Sequence, residues 1–214
     1  MEILLNNLGQ VLRKYPEANL ADAFSKGQIE SKFWLIDELS KVRQSLGVVF
    51  VLGGWYGILP TLMFESELFE IEKIRSFDID ESCANIADTM NRDPLVTDGW
   101  IFKASTADMY ELDYDLTTYV TKRFNQTEEI LQDVANTIIN TSCEHLKDFD
   151  FWWNKIPNGT LTILQSNNFF DAPDHFNCMN NLDEFVNSAP MSEILFQGEL
   201  HLEKYTRFMV IGIK

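Results

Sequence analysis

Basic residues are scarce in this chain: 17 lysines and arginines stand against 33 aspartates and glutamates among 214 residues, a formal charge of −16. A surface that negative repels nucleic-acid backbones and anionic lipid headgroups, so neither is a favoured partner. Cysteine is scarce too. Cys83, Cys143 and Cys178 are odd in number and far apart, which excludes a disulfide framework and a zinc spacing and fits free thiols in a reducing compartment. No apolar run reaches the ~18 residues expected of a membrane-spanning helix. The first residues, Met1 to Asn7, lack the basic start and long apolar stretch of a secretory signal. The expected location is cytoplasmic. What is present suits a globular domain: 45% hydrophobic and 23% charged residues, enough apolar material for one full core.

The first 46 residues read as helical. Leu4 to Tyr15 predicts one helix, closed by Pro16. Ile29, Phe33, Ile36, Leu39 and Val42 recur at spacings of four and three, which predicts a second helix with one apolar stripe. Gly27 and Ser31 lie near its start, and Gly47 is expected as its C-terminal stop. From Val48 the pattern changes. Val48-Val49-Phe50-Val51-Leu52 is a continuous β-branched and aromatic run, the mark of a strand buried on both faces. It leads into Gly53-Gly54-Trp55-Tyr56-Gly57 and a helical stretch through Phe69, with Pro60 in the first turn. Further strands are expected at Ile74–Phe77, Trp100–Ala104, Thr137–Ile139 and Thr160–Leu164. Helices are expected over Cys83–Met90, Phe149–Ile156 and Leu182–Ser188, and around Leu116–Phe124 in an otherwise ambiguous polar stretch. Ile194–Leu202 and Thr206–Ile213 read as a closing antiparallel hairpin.

Strands alternating with helices give an α/β fold: a doubly wound, mostly parallel seven-stranded sheet, an antiparallel C-terminal strand, and an N-terminal helical cap. The division expected is a cap over residues 1–46 and a ligand-binding domain over 47–214. Ligands of such sheets bind beyond the carboxyl ends of the strands. Two features there bear on chemistry. Glycines at 53, 54 and 57 let a ligand approach the backbone, although tight packing alone also favours them. Asp78 ends the second strand about 20 residues later, where a carboxylate can accept both hydroxyls of a ribose or cap the next helix. Together they point to an adenosine-type ligand.

At these residues the chain resembles the class I S-adenosylmethionine-dependent methyltransferases, over roughly residues 29 to 214. Val48–Gly57 is similar to their first motif, and Ile74–Asp80 to their second. The resemblance implies that Gly53, Gly54, Trp55 and Gly57 line S-adenosylmethionine, that Asp78 holds its ribose, and that Ile79 and Asp108 grip adenine. Thr137–His145 is similar to the fourth motif, and Asn158-Gly159-Thr160 to the turn before the fifth strand. The closing hairpin matches the family's antiparallel strand, which nicotinamide-binding domains lack. The family's acidic residue two positions before the first glycine is replaced here by Val51. Contacts to the methionine end would then come from Gln28, Ser31 and Lys32, since a helix start and a lysine both suit a carboxylate.

The acceptor side is expected after the fourth strand. Asn140 can contact the substrate or the cofactor amine. His145 is either the general base or a structural histidine. Asp171, Asp174 and His175 either bind a metal or substrate or solvate a loop; the reading is made without a metal. Cys143 is a poor nucleophile candidate, because neighbours in sequence point in different directions. Phe151-Trp152-Trp153 and Phe169-Phe170 belong either to the core or to an aromatic wall. The implied function is methyl transfer to O or N of a small-molecule acceptor. A nicotinamide-dependent oxidoreductase and a non-catalytic S-adenosylmethionine-binding protein are the alternatives.

Overall fold

The computed structural model describes residues 2–93, 99–123 and 125–214. Strands in chain order are β1 (Ser45–Leu52), β2 (Glu70–Asp78), β3 (Phe102–Thr106), β4 (Thr117–Lys122), β5 (Glu128–Asp133), β6 (Thr137–Asn140), β7 (Leu161–Asn167), β8 (Glu193–His201) and β9 (Thr206–Ile213). Helices are α1 (Glu2–Lys14), α2 (Leu20–Ala23), α3 (Lys26–Val42), α4 (Ile58–Ser66), α5 (Cys83–Met90), α6 (Phe149–Lys155) and α7 (Leu182–Ser188).

The architecture follows from β1. Its side chains alternate: Val49 and Val51 join one apolar cluster, while Val48, Phe50 and Leu52 join another on the opposite face. A strand with no solvent face belongs inside a sheet covered on both sides. β1 accordingly pairs in parallel with β2 and with β6. The seven-stranded order is β3-β2-β1-β6-β7-β9-β8, parallel except that β9 runs antiparallel to both β7 and β8. This is the doubly wound sheet expected from the strand–helix alternation. Residues of α1 to α5 pack on one face, around Leu35, Leu39, Met63 and Ile86. Residues of α6 and α7, with Trp152, Trp153 and Phe185, cover the other. Among the described residues no helix is long and apolar enough to cross a membrane.

Four expectations need correction. Gly47 does not stop α3, which ends at Val42; it sits in β1, two residues after that strand begins. There it takes a φ of +60° at a register shift, with the Asn136 side chain where a Cβ would project. The apolar stripe of α3 is rotated: Ser31, Lys32, Leu35, Ile36 and Leu39 are buried, while Phe33 is 53% exposed. The helix after the glycine turn ends at Ser66 rather than Phe69, because Glu67 takes a left-handed C-cap.

The fourth correction is the helix expected around 116–124, of which Phe124 lies outside the described residues. Thr117–Lys122 is strand β4, paired antiparallel with β5. Its Thr117, Tyr119 and Thr121 are buried and the alternate residues exposed, a period of two that overrides the helical reading. Asp133 fastens this hairpin to β2. It accepts from Arg75 Nε at 2.8 Å, Lys73 Nζ at 2.8 Å and Tyr119 Oη at 2.6 Å. Burial pushes its carboxyl up, but hydrogen bonds from Lys73 and Tyr119 and the charge of Arg75 outweigh that and hold it below the usual range.

Candidate active site

The segments that leave β1, β2, β3, β6 and β7 at their carboxyl ends surround one cavity of about 950 Å³. Its volume sits at the upper end of ordinary small-molecule sites. The N-terminal helices reach it as well, through Asp22, Gln28 and Lys32.

The turn after β1 is fixed from both sides. Gly54 N–H donates to Phe77 O at 3.1 Å, and Gly57 N–H to Gly54 O at 3.0 Å. Gly57 takes a φ of +72°, and a Cβ there would meet Asn91 Nδ2 at 2.6 Å and the Ala87 backbone at 3.3 Å. Asn91 in turn donates to Gly57 O and accepts from Thr61 Oγ1, so the turn is keyed into the helices behind it. Trp55 has a left-handed φ of 47°, and its N–H donates to Asp78 Oδ2 at 2.8 Å. Its ring stacks on Tyr56, whose hydroxyl accepts from Asn19 N–H.

Asp78 is therefore not a helix cap; Ser82 holds that position on α5. One carboxylate oxygen tethers the glycine turn, and the other accepts from Asp80 N–H at 3.0 Å. Burial raises its pKa, against these backbone bonds. The carboxylate keeps capacity to accept from a ligand hydroxyl. Beside it Ile79 is 71% exposed, an apolar side chain at the cavity wall. Ala107 N–H donates to Asp78 O at 2.9 Å, which brings Asp108 to the same end of the cavity.

Lys32 comes from α3. It is buried, its Nζ donates to Gln28 Oε1 at 2.6 Å, and its pKa falls to about 7. Burial is the main cause and the Arg207 guanidinium the second, opposed by Asp22 and Glu144. Ser31 does not reach the cavity: its hydroxyl is spent on Gln28 O at 3.1 Å.

The wall after β6 departs most from expectation. Asn140 is fully buried; its Oδ1 accepts from Ser142 N–H at 2.9 Å and its amide lies 3.6 Å from Met109 Sδ. It shapes the turn and is not among the cavity-lining residues. Thr141, Ser142, Glu144 and His145 line the cavity instead. Cys143 is buried, which pushes its thiol well above the usual range and leaves it unsuited to nucleophilic work. Trp152 and Trp153 are core, whereas Phe169 lines the cavity.

The sequence reading missed Glu144 and Arg207. Both are buried, and Arg207 Nη2 lies 3.3 Å from Glu144 Oε1, which also accepts from Asn167 Nδ2 at 2.7 Å. The one hint in the sequence is Arg207 itself, a charge opening an otherwise apolar strand. His175 from the following loop joins this wall, its ring 4.8 Å from that of His145. Asp171 is not among the cavity-lining residues, whereas Asp174 is.

No family model matches the sequence, and no curated protein matches it. Solved structures do. NodS, an N-methyltransferase from Bradyrhizobium japonicum WM9 in complex with S-adenosyl-L-homocysteine, aligns over 98% of both chains with TM-score 0.59 and 10% identity. A candidate sarcosine dimethylglycine methyltransferase from Galdieria sulphuraria aligns over 87% of this chain and 86% of its own, with TM-score 0.59 and 11% identity. The small RNA methyltransferase HEN1 aligns over 90% of this chain and 26% of its own, with TM-score 0.61 and 13% identity. At these identities the likeness is one of fold. This chain has the Rossmann-like fold of the class I methyltransferases.

Proposed function

We propose that this protein binds S-adenosylmethionine in the cavity and transfers its methyl group to an oxygen or nitrogen of a small-molecule acceptor. The observation that carries the reading is Asp78. Its carboxylate is held by Trp55 N–H of the glycine turn and by Asp80 N–H, lines the cavity, and stands beside the exposed Ile79. That set of residues suits an adenosine: Asp78 for the ribose hydroxyls, Ile79 and Asp108 for the base. Lys32, with Gln28, supplies the cation that a carboxylate at the other end needs, in place of the acid missing at Val51. When bound, the sulfonium supplies an already activated methyl, so the chain need offer no covalent nucleophile.

On the acceptor side the cavity is lined by His145, His175 and Glu144, and an imidazole nitrogen is the group suited to take a proton from a substrate O–H or N–H. Of the two residues expected to act there, His145 is retained in the proposal and Asn140 becomes a positioning residue for the turn. The strong negative charge favours a small molecule over a nucleic acid.

Calorimetric titration with S-adenosylmethionine, S-adenosylhomocysteine and NAD, on the native chain and on Asp78→Ala, tests this. The first two ligands should bind, and the variant should lose roughly 1.5–3 kcal/mol, about tenfold to a hundredfold in affinity. Binding of NAD alone, or of no ligand, would overturn the proposal.

A further inference from the structure

Glu144, His145 and His175 each place one donor atom within 4.8 Å of the other two. Three independent features make this trio more than a polar cluster. His145 Nδ1 faces Asp174 O at 3.0 Å, and His175 Nδ1 faces Phe169 O at 2.7 Å. A carbonyl oxygen only accepts, so in each ring Nδ1 is the donor, which leaves Nε2 as the nitrogen that the neutral imidazole turns to a metal. This is the arrangement in which backbone carbonyls orient metal-ligating imidazoles. Next, Glu144 is 2% exposed, and its Oε2 has no hydrogen-bond partner among the described residues, although Oε1 is doubly held by Asn167 and Arg207. A buried carboxylate oxygen without a partner is costly, and a cation removes that cost. Last, all three residues line the cavity, so an ion among them would keep open positions toward the substrate space.

We infer that Glu144, His145 and His175 form a binding site for a divalent first-row transition metal ion. Two imidazoles and one carboxylate on a cavity wall, with further positions open, suit Zn²⁺, Mn²⁺, Fe²⁺ or Co²⁺ better than Mg²⁺ or Ca²⁺, which prefer all-oxygen sites. The Arg207 guanidinium opposes a cation, but it is engaged with Glu144 Oε1 and Thr141 O rather than Oε2. The Asp174 carboxylate, 3.3 Å from His145 Nδ1, counters it from behind the ring. The consequence for substrate is specific: the ion would select an acceptor that presents an oxygen to it, such as a hydroxyl, carboxylate or phosphate. That consequence rests on the methyltransferase reading; metal binding does not.

The test is titration of tag-free, chelator-treated full-length protein with Co²⁺, followed by visible absorption and calorimetry, with Mg²⁺ as comparison. One equivalent should bind and develop ligand-field bands, and His175→Ala and His145→Ala should each weaken it at least tenfold while keeping the native circular dichroism. His201→Ala, far along the chain on β8, should leave binding unchanged. Glu144→Gln is the third variant, but its buried pairing with Arg207 makes the two histidine variants the deciding ones. Co²⁺ binding that is absent, or equal in native protein and both histidine variants, overturns the site. S-adenosylhomocysteine titrated into the same metal-free protein separates the two proposals. Nucleoside binding without Co²⁺ binding removes only the metal site, and Co²⁺ binding without nucleoside binding removes only the methyltransferase reading.

Discussion

Lys32 gives the sharpest handle on how the cavity is used. Its ammonium is buried beside Arg207, and its pKa falls from 10.5 to about 7. At pH 8 the empty protein should therefore hold only about a tenth of its Lys32 protonated. A ligand carboxylate at Nζ favours the charged form, so binding should draw a proton from solvent: up to about 0.9 per ligand at pH 8, about half at pH 7, and close to none below pH 6. Affinity should then fall by up to about tenfold per pH unit above 7. The assay is S-adenosylhomocysteine titration in buffers of different ionisation enthalpy, comparing native protein with Lys32→Met, so that the ligand's own proton exchange subtracts out. Stability changes in a fixed direction. Because the folded pKa lies below the unfolded one, the unfolded chain binds more protons between about pH 7 and 10.5, and stability rises with pH across that window. The burial penalty is largest below pH 7, so the gain in melting temperature on Lys32→Met should be greater at pH 6 than at pH 9.5. Equal proton uptake by the two proteins, or a pH-independent stability difference, would refute the assignment of Lys32 as a buried cation at the ligand's carboxylate.

Two further outcomes concern the scaffold that holds the site. Gly57→Ala combines a left-handed backbone, costing about 1–2 kcal/mol, with overpacking against Asn91 and Ala87, costing about 1–3 kcal/mol. Urea denaturation should show a lower midpoint at unchanged slope, and a loss under about 1 kcal/mol would contradict the packing argument. Asp133→Asn should speed amide exchange in β4 and β5 while leaving β1 protected, since Asp133 is what fastens that hairpin to Arg75 and Lys73. Because the folded carboxyl is held below its ordinary value, its contribution is complete above about pH 4 and disappears as pH falls through the folded pKa. The native and variant proteins should therefore converge in stability in strong acid. Uniform acceleration of exchange across the sheet would count against this role.

How much of this was legible in the sequence depends on range. The run from Val48 to Leu52, the glycines after it and the acid ending the second strand are local patterns, and they led directly to the sheet and to the edge where the cavity lined by Asp78 lies. The β4–β5 hairpin was missed although Thr117, Tyr119 and Thr121 alternate with polar or exposed partners, because its flanks carry no Asn-Gly or Asp-Gly turn to punctuate it. The wall of Glu144, Arg207 and Asn167 was missed for a different reason. Its partners are separated by 63 and 23 positions, and only the parallel register of β6 with β7 and the antiparallel return of β9 bring them together.

The rotation of α3 joins these two cases. Read by spacing alone, Phe33 belongs to the buried stripe and Lys32 to solvent, which is also where burial energetics would put them. The structure inverts the pair: Phe33 is largely exposed and Lys32 is buried. Helix propensity and apolar burial cannot explain that inversion, since turning Phe33 inward would gain apolar burial and free a costly ammonium. What holds Lys32 inside is polar: Gln28 accepts from Nζ, and Asp22 and Glu144 favour its charge against Arg207. A helix that turns a lysine rather than a phenylalanine toward a cavity, and lowers its pKa to about 7 in doing so, departs from the rule of its own sequence at the point where a ligand would sit. Such departures concentrate at functional sites. A Lys32→Met chain that melts higher yet no longer binds S-adenosylhomocysteine would show stability given up for binding; one that melts lower would mean that Lys32 serves the fold instead.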